Sequence, residues 1–228
     1  MVLPDDTLQS RLRTVLNAGW VDIPDDAGFG GTGAPGRLLE RLLGVNGGNF
    51  DTPDAGRWEI KYHSGGALLT LFHLEGRPKG HLRSIVSQFG WPDKNGRTSF
   101  RHTIRGKSDL GFYIANEPDR IVVRHESLAA TDSPFWTHDR LISAFAAKLR
   151  RLLLVHGTKR KGQVLYEAAS FYSEPMVTSF AKAVEQGIVA VDFDARTTEG
   201  AGLRNHGTKF RIDVANLSHL YGGSERFE

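Results

Sequence analysis

The chain has 228 residues, 39% of them hydrophobic and 24% charged, a composition that suits one large or bilobed domain with a substantial core. Its formal charge of +3 tolerates a polyanionic partner without demanding one. The absence of cysteine excludes disulfides, thiolate zinc sites and cysteine nucleophiles, so any metal would need oxygen or histidine ligands.

The N-terminal "MVLPDDTLQS" has no basic segment ahead of an apolar one, so no signal peptide is expected. Residues 5–17 are expected to form a helix capped by Asp5 or Asp6, with Leu8, Leu12 and Val15 at helical spacing. A glycine-rich loop, 25–36, feeds "RLLERLLG", where Leu38, Leu39, Leu42 and Leu43 form an apolar face and Gly44 ends the helix. "RWEIKYH" and "ALLTLFHL" read as two strands of a hairpin turning at Ser64, Gly65 and Gly66. A basic segment with Arg77, Lys79, His81 and Arg83 leads into a short helix ending near Phe89. "GWPDKNGRTSF" reads as a turn entering a strand, and "LGFYIAN" and "RIVVRHE" as antiparallel strands around Pro118 and Asp119. The pattern predicts one long helix over 138–155, then a basic loop at Lys159, Arg160 and Lys161. A helix over 175–186, the strand "GIVAVDFDA", a loop over 195–208 and the strand "KFRIDV" complete the chain. The expected division falls at the long helix, with a lobe of about 1–137 and another of about 138–228. The apolar run 152–155 is far too short to span a bilayer, so a soluble cytoplasmic protein without a membrane partner is expected.

Gly28, Gly30 and Gly33 match GxGxxG, but a dinucleotide site needs a strong strand before the loop and an acidic residue closing a second parallel strand. "VDIPDD" is a poor buried strand, and Gly36 is followed by Arg37 and Leu38 rather than the Lys-Ser/Thr of a phosphate loop. An ordinary loop is the better reading. Nine histidines show no HExxH spacing, and no GxSxG elbow is present, so zinc-hydrolase and serine-hydrolase chemistry have no support.

"TPDAGRWEIKYH" is different. On a strand, Glu59 and Lys61 share one face while Trp58, Ile60 and Tyr62 share the other, and Asp54 precedes them at a bend. Two carboxylates can converge on a hard cation such as Mg²⁺, and a lysine on the same face can position a water and stabilise phosphate charge. Taken alone, the spacing PD-x₄-E-x-K is short, and a solvated strand face accounts for it more simply. Upstream, "LLERLLG" brings Glu40 within range of the same region. Downstream, "GLRNHGTKFRIDV" places Arg204, Asn205 and His206 ahead of a strand with Lys209 and Arg211 outward, and Arg and Asn are side chains that read guanine and adenine edges.

"GGTGAPGRLLERLLGV", "NFDTPDAGRWEIK", "TLF", "FGWPDKNGRTSF" and "RNHGTKFRI", in that order, resemble the blocks of MvaI/BcnI-type restriction endonucleases, relatives of the mismatch-repair nicking enzyme MutH within the PD-(D/E)XK nucleases. The resemblance runs from Gly30 to Ile212. It implies a mixed α+β fold of the α/β class, a mixed sheet flanked by helices in two lobes around a DNA cleft. It also implies Mg²⁺-dependent cutting of duplex DNA, with Mn²⁺ or Ca²⁺ able to substitute in binding, by a monomer acting at a short, G·C-rich site. By position, Asp54 and Glu59 become metal ligands, Lys61 the catalytic lysine and Glu40 the helix glutamate of the site. Arg204, Asn205, His206, Lys209 and His73 fall at the DNA. A cognate DNA methyltransferase would be a functional, not physical, partner. Where relatives carry E-L-K, this chain has Ile60, which keeps the apolar face, and Gly47 and Gly48 stand where more polar residues are usual. A repair nickase, a catalytically silent DNA-binding module and a metabolic enzyme using the glycine loop are the rival classes.

Overall fold

The computed structural model describes residues 5–45, 58–198 and 202–227. In chain order the elements are α1 (Asp6–Asn17), β1 (Trp20–Asp22), α2 (Ala34–Leu42), β2 (Glu59–His63), β3 (Leu69–His73), α3 (His81–Phe89), β4 (Trp91–Pro92), β5 (Thr98–Ile104), β6 (Tyr113–Asn116) and β7 (Arg120–Arg124). There follow β8 (Phe135–Thr137), α4 (His138–Lys148), β9 (Leu152–Arg160), β10 (Gln163–Pro175), α5 (Phe180–Glu185), β11 (Val189–Thr198), β12 (Gly202–Asn205), β13 (Lys209–Ile212) and β14 (Tyr221–Phe227). Short 3₁₀ turns lie at Ala27–Phe29, Val177–Ser179 and Val214–His219.

The chain forms two compact units, one from residues 1–67, 146–175 and 221–228, the other from 68–145 and 176–220. The second is thus an excursion of the chain out of the first, and the units are not the halves 1–137 and 138–228 expected from the sequence. No linear cut can describe such an arrangement, because each unit is closed by strands distant in sequence.

In the first unit, α1 begins where Asp5 accepts the Leu8 N–H at 2.9 Å, a standard first-turn cap. Its buried Leu8, Leu12 and Val15 join Leu38 and Leu39 from α2, and Leu43 just after it, against the sheet. Leu42, expected on that face, is instead exposed; it ends α2, and the apolar face is carried on by Leu43 in the following turn. The sheet runs β1-β10-β9-β2, with β14 also on β10. β2 lies parallel to β9, with Ile60 beside Leu153 and Glu59 beside Leu152. Trp58, Ile60, Leu153 and Val155 therefore face the helices, and Tyr166 donates to the Pro35 carbonyl at 2.7 Å, fixing the start of α2.

Three corrections follow from this sheet. Residues 138–155 are not one helix: α4 stops at Lys148, and 152–155 open a strand. A central strand buried on both faces reads as a continuous apolar run, which periodicity cannot separate from a helix segment. Leu152, Leu153, Leu154 and Val155 all lack solvent exposure, as such a strand requires. Lys159 and Arg160 finish that strand rather than forming a loop, and β10, the longest strand, has no counterpart in the sequence reading. Finally, β2 and β3 are not a hairpin, since β2 pairs with β9 and β3 with β13; Ser64, Gly65 and Gly66 lead the chain out of one unit and into the next.

The second unit carries a six-stranded sheet, β3-β13-β11-β5-β4 with β12 on β11, and a three-stranded sheet, β6-β7-β8. One face of the larger sheet is aromatic: Phe72 stacks on Phe210 at 5.1 Å, and Phe100 and Phe193 approach at 6.2 Å. Buried Trp136 donates to the Leu74 carbonyl at 2.9 Å, so its polar atom is satisfied. The expected loop over 195–208 is largely strand: β11 continues to Thr198 and β12 returns along it with Arg204 beside Arg196.

Candidate active site

Pairing fixes the geometry of β2. The Glu59 N–H donates to the Arg151 carbonyl at 2.9 Å, just before the parallel ladder with β9 begins. Alternation then sends Trp58 and Ile60 into the core, and Glu59 and Lys61 to the opposite face. Glu59 is only 1% exposed. Lys61 Nζ lies 2.6 Å from Glu59 Oε1 and Lys148 Nζ lies 3.7 Å from the same oxygen. A buried carboxylate is costly unless cations and hydrogen bonds compensate it, and here two ammonium groups converge on one oxygen. Tyr221 is pushed above the ordinary phenol range, first by burial and then by the Glu59 charge, and its hydroxyl donates to the Leu149 carbonyl at 2.8 Å. It stays protonated, a neutral group within reach of the Glu59 charge.

Lys148 is the residue that sequence reasoning missed. Reading 138–155 as one helix hid that Lys148 ends α4, four residues before the strand that pairs with Glu59 begins. Asp54 lies outside the described residues. Glu40 is half-buried on α2. One turn earlier, a Cβ at Gly36 would sit 3.9 Å from Tyr62 Cβ, so α2 covers the Trp58, Ile60 and Tyr62 face of β2. Reaching Glu59 from Glu40 means passing around the sheet edge that β2 forms among the described strands. The described part of the site thus offers one carboxylate of the hard-oxygen type that divalent cations favour. Among the described residues, no group of three or more metal-ligating side chains is found.

The glycine loop is occupied by its own chain. Arg37 donates to the carbonyls of Gly28 at 2.6 Å and Gly30 at 2.5 Å, and Asp26 accepts the Gly28 N–H at 2.8 Å. Carbonyls converging on a guanidinium are the reverse of a phosphate cradle. Among the described residues there is no parallel strand pair around it either, because β1 and β2 are separated by β10 and β9. The ordinary-loop reading fits.

The residues expected at DNA gather in the second unit. His73 on β3 pairs in register with Lys209 on β13. Asn205 Oδ1 accepts the Gly207 N–H at 2.8 Å, and the His206 N–H donates to the Asp194 carbonyl at 2.9 Å. Gly207, at φ +87°, is held where a Cβ would come 3.0 Å from the His73 ring, so the turn lies against that histidine. Arg204, Asn205 and His206 are exposed. Lys209 stands 3.4 Å from Asp194 and 3.8 Å from Asp192.

These residues belong to a wider charged face that the sequence reading left largely unnamed. Asp192 accepts from Thr103 at 2.6 Å and pairs with Arg211 at 3.4 Å, and Arg101 pairs with Asp194 at 3.2 Å. The Arg196 guanidinium is held below its ordinary range, first by burial and then by the like charges of Arg97, Arg204 and Arg101. The signal was present in "VAVDFDAR": Asp192, Asp194 and Arg196 fall at every second residue, all on the face opposite Val191, Phe193 and Ala195.

The MvaI/BcnI restriction endonuclease family matches residues 9–221. The structure is similar to the restriction endonuclease MvaI–cognate DNA substrate complex, at 23% identity and a TM-score of 0.80, over 99% of this chain and 100% of that one. It is also similar to restriction endonuclease MvaI in the absence of DNA, at 22% identity and a TM-score of 0.56, over the whole of both chains. At these identities the likeness shows the fold, the mixed α+β arrangement expected from the sequence. Among curated proteins, none matches this chain.

Proposed function

This chain belongs to the MvaI/BcnI restriction endonuclease family and is a DNA-cleaving type II restriction endonuclease; from that premise we propose that it hydrolyses phosphodiester bonds of duplex DNA with Mg²⁺ at a short, G·C-rich site. The observation that carries the reading is the buried Glu59 carboxylate with Lys61 at 2.6 Å on β2, an edge strand among the described strands. Glu59, together with Asp54, would hold the cation, and Glu40 would complete the site from α2. Bound there, Mg²⁺ would supply charge stabilisation at the scissile phosphate.

The chain's own groups do the rest. Lys61 orients the attacking water and balances charge on the phosphate while the water oxygen bonds to phosphorus and gives its proton to solvent, and the bond to the leaving deoxyribose oxygen breaks, that oxygen taking a proton from solvent. Lys148 balances the Glu59 charge at the same carboxylate oxygen that Lys61 contacts. Tyr221, held neutral, leaves the charge of the site unchanged. Chemistry belongs to the unit of β2, recognition to the unit of β11 and β13.

Duplex DNA is the partner, and the DNA named in the MvaI complex supports that choice. His73, Arg204, Asn205, His206 and Lys209 would contact it, Arg204 and Asn205 through base edges. Surrounding Lys and Arg residues supply phosphate affinity, which should fall steeply with salt. The enzyme acts as a monomer in the cytoplasm, with a cognate methyltransferase protecting the host DNA, and Mn²⁺ or Ca²⁺ can take the place of Mg²⁺ in binding. Among the described residues, no helix is long and apolar enough to cross a membrane.

The test is to incubate the protein with long unmethylated DNA, with Mg²⁺ or with chelator, and sequence the fragment ends. Ends at one fixed sequence on both strands, only with Mg²⁺, are expected. No Mg²⁺-dependent fragments across a range of salt would overturn the reading, and single-strand ends would replace it with nicking.

A further inference from the structure

The basic run Lys159, Arg160 and Lys161 takes no part in the site described above, yet the sheet of the first unit puts its arginine on the face that carries Glu59 and Lys61. The parallel register sets Glu59 beside Leu152, Lys61 beside Leu154 and His63 beside His156. Alternation along β9 then adds Thr158 and Arg160 to that face. The contacts agree: the His63 and His156 rings lie 5.7 Å apart, Thr158 donates to Glu167 at 2.9 Å, and the Arg160 guanidinium crosses β10 to lie 4.0 Å over the Trp20 ring on β1. Leu153 and Val155, at intervening positions, belong to the core under the helices.

Arg160 differs from an ordinary surface arginine. It closes the two-residue turn of Lys161 and Gly162, opposite Gln163, with Gly162 at φ +71°. Its Nε donates to Gln163 Oε1 at 2.6 Å, while the exposed Trp20 ring lies under the guanidinium. The side chain is thus tethered twice, yet none of Lys159, Arg160 and Lys161 forms an ion pair with a described residue. Two acids on the neighbouring strands are engaged by neutral groups instead: Asp22 accepts from Gln163 at 2.7 Å, and Glu167 from Thr158. A cation held in place without a carboxylate has little conformational entropy left to lose when an anion arrives.

We propose that this face is a track for the sugar–phosphate backbone of the duplex flanking the cut, running from Lys61 past His63, His156 and Thr158 to Arg160, with Lys161 at its end. That duplex is the substrate of the nuclease reading, on which the track rests. Two features select DNA as the occupant: donors and cations line the track, and it is continuous with the strand assigned to the scissile phosphate. Arg160 lies six residues along β9 from Leu154, the neighbour of Lys61, which is about 20 Å of strand. That length equals about six base pairs of duplex, so one flank, and not the other, should reach the arginine. Backbone contacts carry no sequence information, so reading of the site stays with the second unit.

The test is the salt dependence of binding, in chelator, to duplexes carrying the mapped site with long flanks or with one flank cut to a few base pairs. Wild type, Arg160→Gln and Arg160→Lys are compared as full chains. On the long duplex, Arg160→Gln should weaken binding and lower the log–log slope by about 0.9, and Arg160→Lys should restore the slope. Cutting one flank should erase the difference between wild type and Arg160→Gln; cutting the other should preserve it. Lys161 is an exposed turn residue, so Lys161→Gln should show the same pattern and carries the test if Arg160→Gln fails to fold. Equal slopes for wild type and both glutamine variants on the long duplex, or a difference that survives both truncations, would overturn the track and leave the hairpin tip to a partner other than this DNA. Cleavage at one fixed site alongside either of those results would leave the nuclease reading intact. A wild type that neither binds nor cuts duplex DNA would sink the nuclease reading and the track together.

Discussion

The face of β2 that carries Glu59 and Lys61 and the outer face of β11 and β13 both carry acids and bases at alternating positions, yet they solve opposite problems. On β2 the charge is concentrated and buried: one carboxylate at 1% exposure takes two lysines on a single oxygen. On β11 and β13 it is spread over a ladder of pairs at 3.2–3.8 Å, in which Asp192 is buried while Asp194, Lys209, Arg211 and Arg101 keep part of their surface in solvent. Burial strengthens each electrostatic contact and fixes its geometry, which suits a reacting phosphate. Its part-exposed members can exchange their partners for a ligand at less cost than a buried pair, which suits a surface that must read one. Substitutions should therefore act on rate in the first region and on affinity in the second.

The sharpest break in that contrast would come from Glu59→Gln. Cleavage should fall by about 10³-fold, while DNA binding stays level or tightens because a negative charge near the phosphate is gone; single-turnover cleavage and a binding titration in chelator would show both. Lys148→Ala should slow cleavage by about 10–100-fold, as loss of a group supporting a reacting side chain does, with little effect on the dissociation constant. In the second region, Arg204→Ala should weaken duplex binding about tenfold and leave the single-turnover rate at saturating DNA unchanged.

The smallest effect concerns pH. His81, His102 and His156 all titrate below the ordinary imidazole value of 6.5, each first because burial disfavours the charged ring. A folded-state value below the unfolded one means that the neutral rings contribute stability fully above about pH 6.5, and that this contribution is lost as pH falls through the folded values. Tm should therefore hold above pH 6.5 and decline below it. His102→Gln in the second unit and His156→Gln in the first should each flatten that decline in thermal melts across pH 5 to 8.

How much of this was legible in the sequence depended on whether a feature was local. α1 could be read from Asp5, Leu8, Leu12 and Val15, because caps and periodicity are local signals. Glu59 and Lys61 could be placed on one face by alternation alone. What alternation could not supply was the partner strand. β2 pairs with β9, about ninety residues on, and the glycines at 65 and 66 looked like a hairpin because composition does not record which strand a turn leads to. The same gap hid Lys148, whose importance comes from where α4 ends relative to that pairing. The charged ladder was half visible: the acids alternate in "VDFDAR", but their cations come from β5 and β13, which only the sheet register aligns.

Lys61 is the side chain on which cleavage depends most directly. Lys61→Ala removes the ammonium 2.6 Å from Glu59 while leaving the strand, its core face and the second unit untouched. Single-turnover cleavage of a duplex carrying the mapped site, with Mg²⁺, should be abolished in this variant, while its affinity for that duplex in chelator remains close to wild type. Cleavage preserved at the wild-type rate would contradict the assignment of chemistry to this strand.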